Sequence, residues 1–276
     1  MKEKLAVVAI GGNAVNRPGE EATAENMMRN LSETAHYLAT MLDEFDIVIT
    51  HGNGPQVGNI LVQQDLSKHV IPPFPIDVND AQTQGSLGYM IALTLGNELR
   101  KRNIKRQVAA VVTQILVDKN DPGFQKPTKP VGPFYSKEEA DKLSQEKGWV
   151  MREDAGRGWR RVVPSPIPLD IVEKDVITML VENDAIVIAA GGGGIRCGAR
   201  CAGDDHSGRH LDGARRRGRS RHEGQGRPRH PVIFPLQQHQ RCKQTFGPFT
   251  GPFFVSGLLT TPYRDRWCAA IIASAI

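Results

Sequence analysis

Three apolar segments of the sequence each end in a glycine-rich turn whose chemistry suits an anion. The turns lie at residues 11–14, 52–55 and 191–194. Glycine lets backbone N–H groups approach a ligand oxygen with no side chain between them, and a helix that follows such a turn adds a potential that favours negative charge. The three turns therefore predict binding of a phosphate or a carboxylate.

One turn of this kind is more often a simple tight turn than a binding loop. Three at the ends of successive strands favour binding, because ligands lie beyond the carboxyl ends of the strands in an open parallel sheet. None of the three fits the P-loop pattern GxxxxGK[ST] or the dinucleotide pattern GxGxxG. The sequence therefore supports neither a Walker-type ATPase nor a dinucleotide enzyme.

The segments that must position these turns alternate between strand and helix patterns, which is typical of a mainly parallel sheet covered by helices. Short β-branched runs predict strands at 5–10, 46–50, 108–117 and 186–190, and apolar residues spaced three and four apart predict helices at 23–42, 82–102 and 171–182. Seven prolines interrupt this rhythm between residues 119 and 168. They predict an inserted lid subdomain, partly irregular and partly a hairpin around residues 156–158.

Composition excludes several classes of protein. A length of 276 residues with 39% hydrophobic residues excludes a disordered or fibrous chain. No apolar run reaches the roughly 18 residues that cross a bilayer, and the run at 5–10 is too short for a secretory signal, so we expect a cytoplasmic protein. All four cysteines follow residue 195, and a cysteine-free body fits a reducing compartment.

The net charge of +5 divides unevenly along the chain. Residues 1–195 carry 21 Lys and Arg against 25 Asp and Glu, a net charge of −4, whereas residues 196–276 carry 14 against five, a net charge of +9. The basic run at 215–222 suits nucleic-acid phosphates, but it has no interleaved aromatic residues for stacking. Four potential zinc ligands have only four residues between their two pairs, against roughly 12 in a zinc finger, so no metal site is predicted; they are Cys197, Cys201, His206 and His210.

Several longer motifs resemble those of the carbamate kinases, and they occur in the order that this family shows. They are AIGGNA at 9–14, THGNGPQVG at 50–58, QGSLGY at 84–89, PTKPVG at 127–132, EDAGRGW at 153–159, VPSP at 163–166 and GGGGI at 191–195. The resemblance covers about residues 1–195. It implies an α/β fold, an open αβα sandwich with a mainly parallel central sheet, known as the amino-acid-kinase fold.

The resemblance also implies a function. The reaction would be ATP plus carbamate giving ADP plus carbamoyl phosphate, commonly reversed to make ATP. The cofactor would be ATP or ADP with Mg²⁺ held by the phosphates and no protein ligand assigned. The partners would be carbamate or carbamoyl phosphate, the adenine nucleotide and a second subunit in a homodimer, with no membrane and no nucleic acid. The setting would be arginine metabolism in the cytoplasm.

The site residues follow from matching motifs. By resemblance, Gly11, Gly12 and Asn13 contact the transferred phosphoryl group; the remaining phosphate- and substrate-binding positions are Gly52, Asn53, Gly54, Gly192 and Gly193. Lys129 is the catalytic candidate, since Pro130 biases its backbone to an extended form that presents the ammonium group. His51 is expected to be structural. Arg157 and Arg160 suit either anion contacts in a lid or ordinary solvated ion pairs.

The family pattern stops at residue 195. Arg196 stands where the family has proline, and the family's later Asp-Lys-Asp and Gly-Ser-Met-Gly-Pro-Lys segments, which build most of the nucleotide pocket, do not occur. Our hypothesis is that a reading-frame shift near codon 196 replaced the family's ending, and residues 196–276 are expected to be irregular. Three interpretations stay open: a carbamate kinase, active or silent; another acyl-phosphate-forming amino-acid kinase; and a non-catalytic anion- or nucleic-acid-binding protein.

Overall fold

A computed structural model describes residues 4–193, 195–198 and 253–260. The strands are β1 (Lys4–Ile10), β2 (Asp46–His51), β3 (Val108–Ala110), β4 (Gln114–Val117), β5 (Lys129–Tyr135), β6 (Met151–Glu153), β7 (Trp159–Val163), β8 (Pro168–Ile171), β9 (Ile186–Ile188), β10 (Ile195–Gly198) and β11 (Phe253–Thr260). The helices are α1 (Gly12–Val15), α2 (Ala24–Met41), α3 (Gln56–Ser67), α4 (Ile76–Lys101), α5 (Lys137–Lys147) and α6 (Lys174–Glu182).

The central sheet has the strand order β11–β1–β2–β9–β3. Strands β1, β2, β9 and β3 run parallel, and β11 pairs antiparallel with β1. Successive side chains of a strand point to opposite faces. Accordingly Val8 of β1 and Ile49 of β2 pack in one hydrophobic core, while their neighbours Val7 and Val48 pack in the other. Burial on both faces explains why these strands read as continuous apolar runs.

Helices α2 and α4 cover the first face. Thr23 caps the N-terminus of α2 by accepting a hydrogen bond from the backbone of Asn26, 3.2 Å away. The apolar stripe of α2 then meets α4 over the sheet through buried residues such as Leu31, Leu38 and Leu95. The second face is covered by α6 with β4 and β8. The architecture is the predicted α/β class with a mainly parallel central sheet.

Two further sheets lie beside the central one. Strands β10, β4 and β8 form one of them, with β10 parallel and β8 antiparallel to β4. Strands β5, β7 and β6 form the other within the predicted lid segment, and β6 and β7 make the hairpin expected around residues 156–158. Helix α5 of the lid begins with a capping box between Ser136 and Glu139.

The structure corrects several sequence-based expectations. The prediction of a single strand at 108–117 is wrong, because residues 111–113 leave the central sheet and separate β3 from β4. Helices α3 and α5 were not predicted. The expectation that the chain is irregular after residue 195 is wrong for β10 and β11, which are strands. The basic run at 215–222 lies outside the described residues, as do Cys201, His206 and His210. Among the described helices, none has the length and apolar character to cross a membrane.

Candidate anion site

A cavity of about 700 Å³ lies where the second and third glycine turns meet the lid. Its walls include Gly52, Asn53 and Gly54 after β2, Gly192 after β9, and Lys129 on β5. These two turns follow the carboxyl ends of neighbouring parallel strands, which is where an open sheet binds its ligands. The structure therefore brings together five of the site residues predicted from the sequence.

The first glycine turn lies beside this cavity but is not part of its wall. Ile10 is paired in register with His51, so Gly11 and Gly12 leave β1 next to the point where the second turn leaves β2. A Cβ atom added at Gly11 or Gly12 would meet no heavy atom within 4 Å. This open space is compatible with an approaching ligand, although Asn13 is exposed and does not line the cavity.

Position 192 accommodates only glycine, because of its backbone conformation and its closeness to Asn53. Its backbone has φ of 62°, which an L-residue rarely adopts. A Cβ atom at this position would lie 1.9 Å from Oδ1 of Asn53. The third turn therefore contacts the second one so closely that no side chain fits between them.

The side-chain amide of Asn53 is held from two sides by α4. Its Nδ2 group donates to Oδ1 of Asp80, and its Oδ1 atom accepts from the hydroxyl of Thr83 at 2.9 Å. Sequence reasoning missed both partners. The spacing of Asp80, Thr83 and Gln84 along one helix face was the available signal.

A buried hydrogen-bond network continues from Gln84 to the third turn. The Oε1 atom of Gln84 accepts from the backbone N–H of Thr113 at 2.9 Å, and the hydroxyl of Thr113 accepts from the backbone N–H of Ala190 at 2.8 Å. Ala190 has φ of 53°, in the left-handed region that is unfavourable for alanine. The network thus holds a strained residue directly before the glycines that approach the ligand space.

Lys129 is half-buried at the start of β5 and reaches across the cavity. Its Nζ atom donates to the backbone carbonyl of Gly192 at 3.4 Å. The strand is extended at this residue, as Pro130 predicts. Glycines of two motifs allow the close approach of β5 to α3, because a Cβ atom at Gly58 would lie 3.1 Å from Cα of Gly132.

His51 also lines the cavity, although only 5% of its surface is exposed. Its Nδ1 atom donates to the carbonyl of Gly52 at 2.9 Å, and burial lowers the pKa of the imidazole. A neutral ring packed against Gly191 fits the structural role expected from the sequence.

Arg157 and Arg160 border the cavity from the lid hairpin. Both form ion pairs with Asp154 and both lie about 5 Å from the ring centre of Phe134. The hydrogen bond from Arg160 is the largest cause that lowers the pKa of Asp154. Two guanidinium groups share one carboxylate, so they still add positive potential at the edge of the cavity. The arrangement fits both expectations for these arginines, ion pairing and contact with an anion.

In chemical terms, this site offers one ammonium group, backbone N–H groups from two turns and a cationic rim. Within the described ranges, no group of three or more His, Cys, Asp and Glu side chains is placed to hold a metal ion. The ammonium group and the N–H groups suit an anionic ligand.

Comparisons with known proteins identify what this chain is similar to. Residues 4–207 match the model of the Amino acid kinase family. The carbamate kinase of Pyrococcus horikoshii is 55% identical over 198 residues, which cover 71% of this chain and 63% of that protein. The carbamate kinase of Thermococcus kodakarensis is 55% identical over 196 residues, covering 70% and 62%.

A solved structure is also similar. The carbamate kinase from Giardia lamblia bound to AMP-PNP superposes with a TM-score of 0.63 at 41% identity, covering 72% of this chain and 63% of that one. The chain spans about 63% of the length of the curated relatives it matches.

Proposed function

The chain belongs to the amino acid kinase family, and from this premise we propose that it is a phosphotransferase of the carbamate kinase type. The proposed reaction is ATP plus carbamate giving ADP plus carbamoyl phosphate, run in either direction. The observation that carries the proposal is the shared cavity of Asn53, Lys129 and Gly192, in a chain with relatives of this activity at 55% identity.

The chemistry of this reaction matches what the site offers. Carbamate already carries an anionic oxygen nucleophile, so no general base is needed. The enzyme must align two anions in line and neutralise the charge of the phosphoryl group in transit. Lys129 would neutralise that charge, and the backbone N–H groups of the second and third turns would orient the oxygens.

The remaining predicted residues have a place in this proposal. Gly11, Gly12 and Asn13 would contact the phosphoryl group from the neighbouring turn, and Gly193 would extend the third turn. ATP or ADP supplies the phosphoryl group, and Mg²⁺ would arrive bound to its phosphates, with no protein ligand assigned. In domain terms, residues 1–195 with a lid at about 119–168 would bind substrate and phosphate.

A second candidate function rests on the sequence after residue 195. The family segments that complete the nucleotide pocket do not occur there. The second candidate is therefore a silent protein that binds carbamoyl phosphate or phosphate but transfers nothing. Nucleic-acid binding through the basic run at 215–222 belongs to the same candidate.

A coupled assay separates the candidates by following ATP formed from ADP and carbamoyl phosphate. The kinase proposal predicts turnover that Lys129→Ala lowers about a hundredfold or more, since a preorganised charge contact is lost. Lys126→Ala is the matched control, because Lys126 is an exposed lysine three residues away, and we expect it to stay within about twofold of the parent. Turnover that survives Lys129→Ala would remove the catalytic assignment; binding of carbamoyl phosphate without turnover would establish the silent candidate.

We also propose a homodimer, a cytoplasmic location and a place in arginine metabolism, all from the resemblance to carbamate kinases. Sedimentation velocity tests the dimer: a single species at the monomer mass would refute it.

A further inference from the structure

A second cavity, which we call the lid cavity, lies between α3, β5 and α5 and has a volume of about 410 Å³. Its polar side chains differ from those of the anion site: Arg161, Tyr135 and Trp149 line the lid cavity, whereas Lys129 and the glycine turns do not. The two cavities share the wall formed by residues 131–134 of β5. A volume of this size holds a small organic molecule.

Most charged groups of the lid cavity are already engaged with one another. Lys147 donates to Asp65 at 2.7 Å, and Lys68 lies 3.1 Å from the same carboxylate. Glu139 accepts from the backbone N–H of Ser136 at 2.8 Å as part of the helix cap. Both carboxylates of the lid cavity therefore have cationic or N–H partners within the protein. Among the described residues that line this cavity, one further cation has no carboxylate partner.

Arg161 is that cation. It is half-buried, and among the residues that the structure describes no carboxylate forms an ion pair with it. Its guanidinium group stacks over the ring of Trp149 at 4.5 Å. Burial lowers the pKa of this guanidinium, because the charge has lost water and gained no anion. The group nevertheless stays charged, and its planar fork suits a carboxylate.

The other walls indicate what the rest of a ligand looks like. Burial, and then the charges of Asp65 and Glu139, raise the pKa of Tyr135, so its phenol keeps a proton to donate. Leu61, Leu66 and Leu143 form an apolar wall. A ligand with one anionic end and a short hydrocarbon chain matches both parts.

We propose that the lid cavity binds a small aliphatic carboxylate, whose charged end pairs with Arg161 and whose chain packs against the leucine wall. This site is independent of the proposed kinase activity. Its ligand would touch the β5 segment that also borders the anion site.

Fluorescence of Trp149 gives a direct test. The chain has three tryptophans, and a Trp159→Phe, Trp267→Phe variant leaves Trp149 as the reporter. Butyrate titrated at constant ionic strength is expected to change the emission saturably. Acetate is expected to bind about tenfold more weakly, since it has two fewer methylene groups to bury. Equal effects of acetate and butyrate would overturn the proposed apolar contact.

Substitutions locate the binding site. Arg161→Gln is expected to weaken butyrate binding at least tenfold, and Arg161→Lys, which keeps the charge, to weaken it less. Arg152→Gln, at an exposed arginine of the neighbouring strand, is the matched control and is expected to leave binding unchanged. Binding that persists in Arg161→Gln, or that is lost in Lys129→Ala instead, would overturn the proposal by placing butyrate elsewhere.

Discussion

Replacing Gly192 by alanine perturbs the contact between the second and third turns at one defined point. The new Cβ atom would lie 1.9 Å from Oδ1 of Asn53. Cβ atoms in proteins essentially never approach another heavy atom more closely than 3.0 Å. Asn53 must therefore move, and its movement breaks the hydrogen bonds to Asp80 and Thr83. Gly192→Ala thus tests whether these contacts hold the site together.

Two effects set the magnitude. Alanine at φ of 62° costs about 1–2 kcal/mol of stability relative to a right-handed backbone. Losing the two hydrogen bonds of Asn53, to Asp80 and from Thr83, costs about 1 kcal/mol each. We expect the free energy of unfolding to fall by about 3–4 kcal/mol in total, together with a loss of affinity for carbamoyl phosphate.

Urea unfolding and a binding titration measure the two effects. Gly19→Ala is the matched control, because Gly19 also has a positive φ, 83°, while its added Cβ atom meets nothing within 4 Å. This control carries only the backbone cost, so the difference between the two variants isolates the displacement of Asn53. We expect anion affinity to stay near the parent value in Gly19→Ala.

A double variant removes the obstacle itself. The three nearest atoms to the new Cβ all belong to the Asn53 amide, so Asn53→Ala clears the space. In that background Gly192→Ala is expected to cost only the backbone contribution of about 1–2 kcal/mol. An equal cost in both backgrounds, or equal costs for Gly192→Ala and Gly19→Ala, would refute the reasoning.

Two further predictions concern His51 and the chain after residue 195. Burial lowers the pKa of His51 from its ordinary value of 6.5, so below about pH 6.5 the unfolded state binds more protons than the folded state and the free energy of unfolding decreases as the pH falls. Urea unfolding should show this decrease below about pH 6.5, and it should be much smaller in His51→Gln but retained in the exposed control His69→Gln. An equal pH dependence in both variants would contradict it. Translation of the neighbouring frames of the coding DNA from codon 196 should give a segment with Lys-Asp and Gly-Pro-Lys motifs, and a frame search without them would exclude the frameshift.

Strands and helices with local signals were predictable from the sequence. The runs around Val7, Val48 and Val187 are apolar on both faces, so they predict interior parallel strands before any contact is known. Helix α5 was also predictable, because Ser136 and Glu139 match the sequence pattern of a capping box. It was missed because the prolines of the lid segment favoured an interpretation as irregular structure. Strand β11 contains the apolar run Phe253–Val255 and, after one serine and one glycine, Leu258 and Leu259, so it too carried a local signal that the sequence interpretation overlooked.

Other features depend on contacts between distant residues. At the break between β3 and β4, Thr113 forms hydrogen bonds with Gln84, 29 positions away, and no spacing rule reveals that pairing. The same holds for the site. The glycine turns and Lys129 could be identified from their motifs, whereas Asp80 and Thr83 became relevant only when the fold placed α4 against Asn53.

A crystal structure of the full chain with carbamoyl phosphate tests most directly whether the turns and the lysine converge on one anion. We predict the phosphoryl group within hydrogen-bonding distance of Nζ of Lys129 and of backbone N–H groups in the second and third turns. Density for the ligand in another part of the molecule, or no density at saturating concentration, would contradict the account.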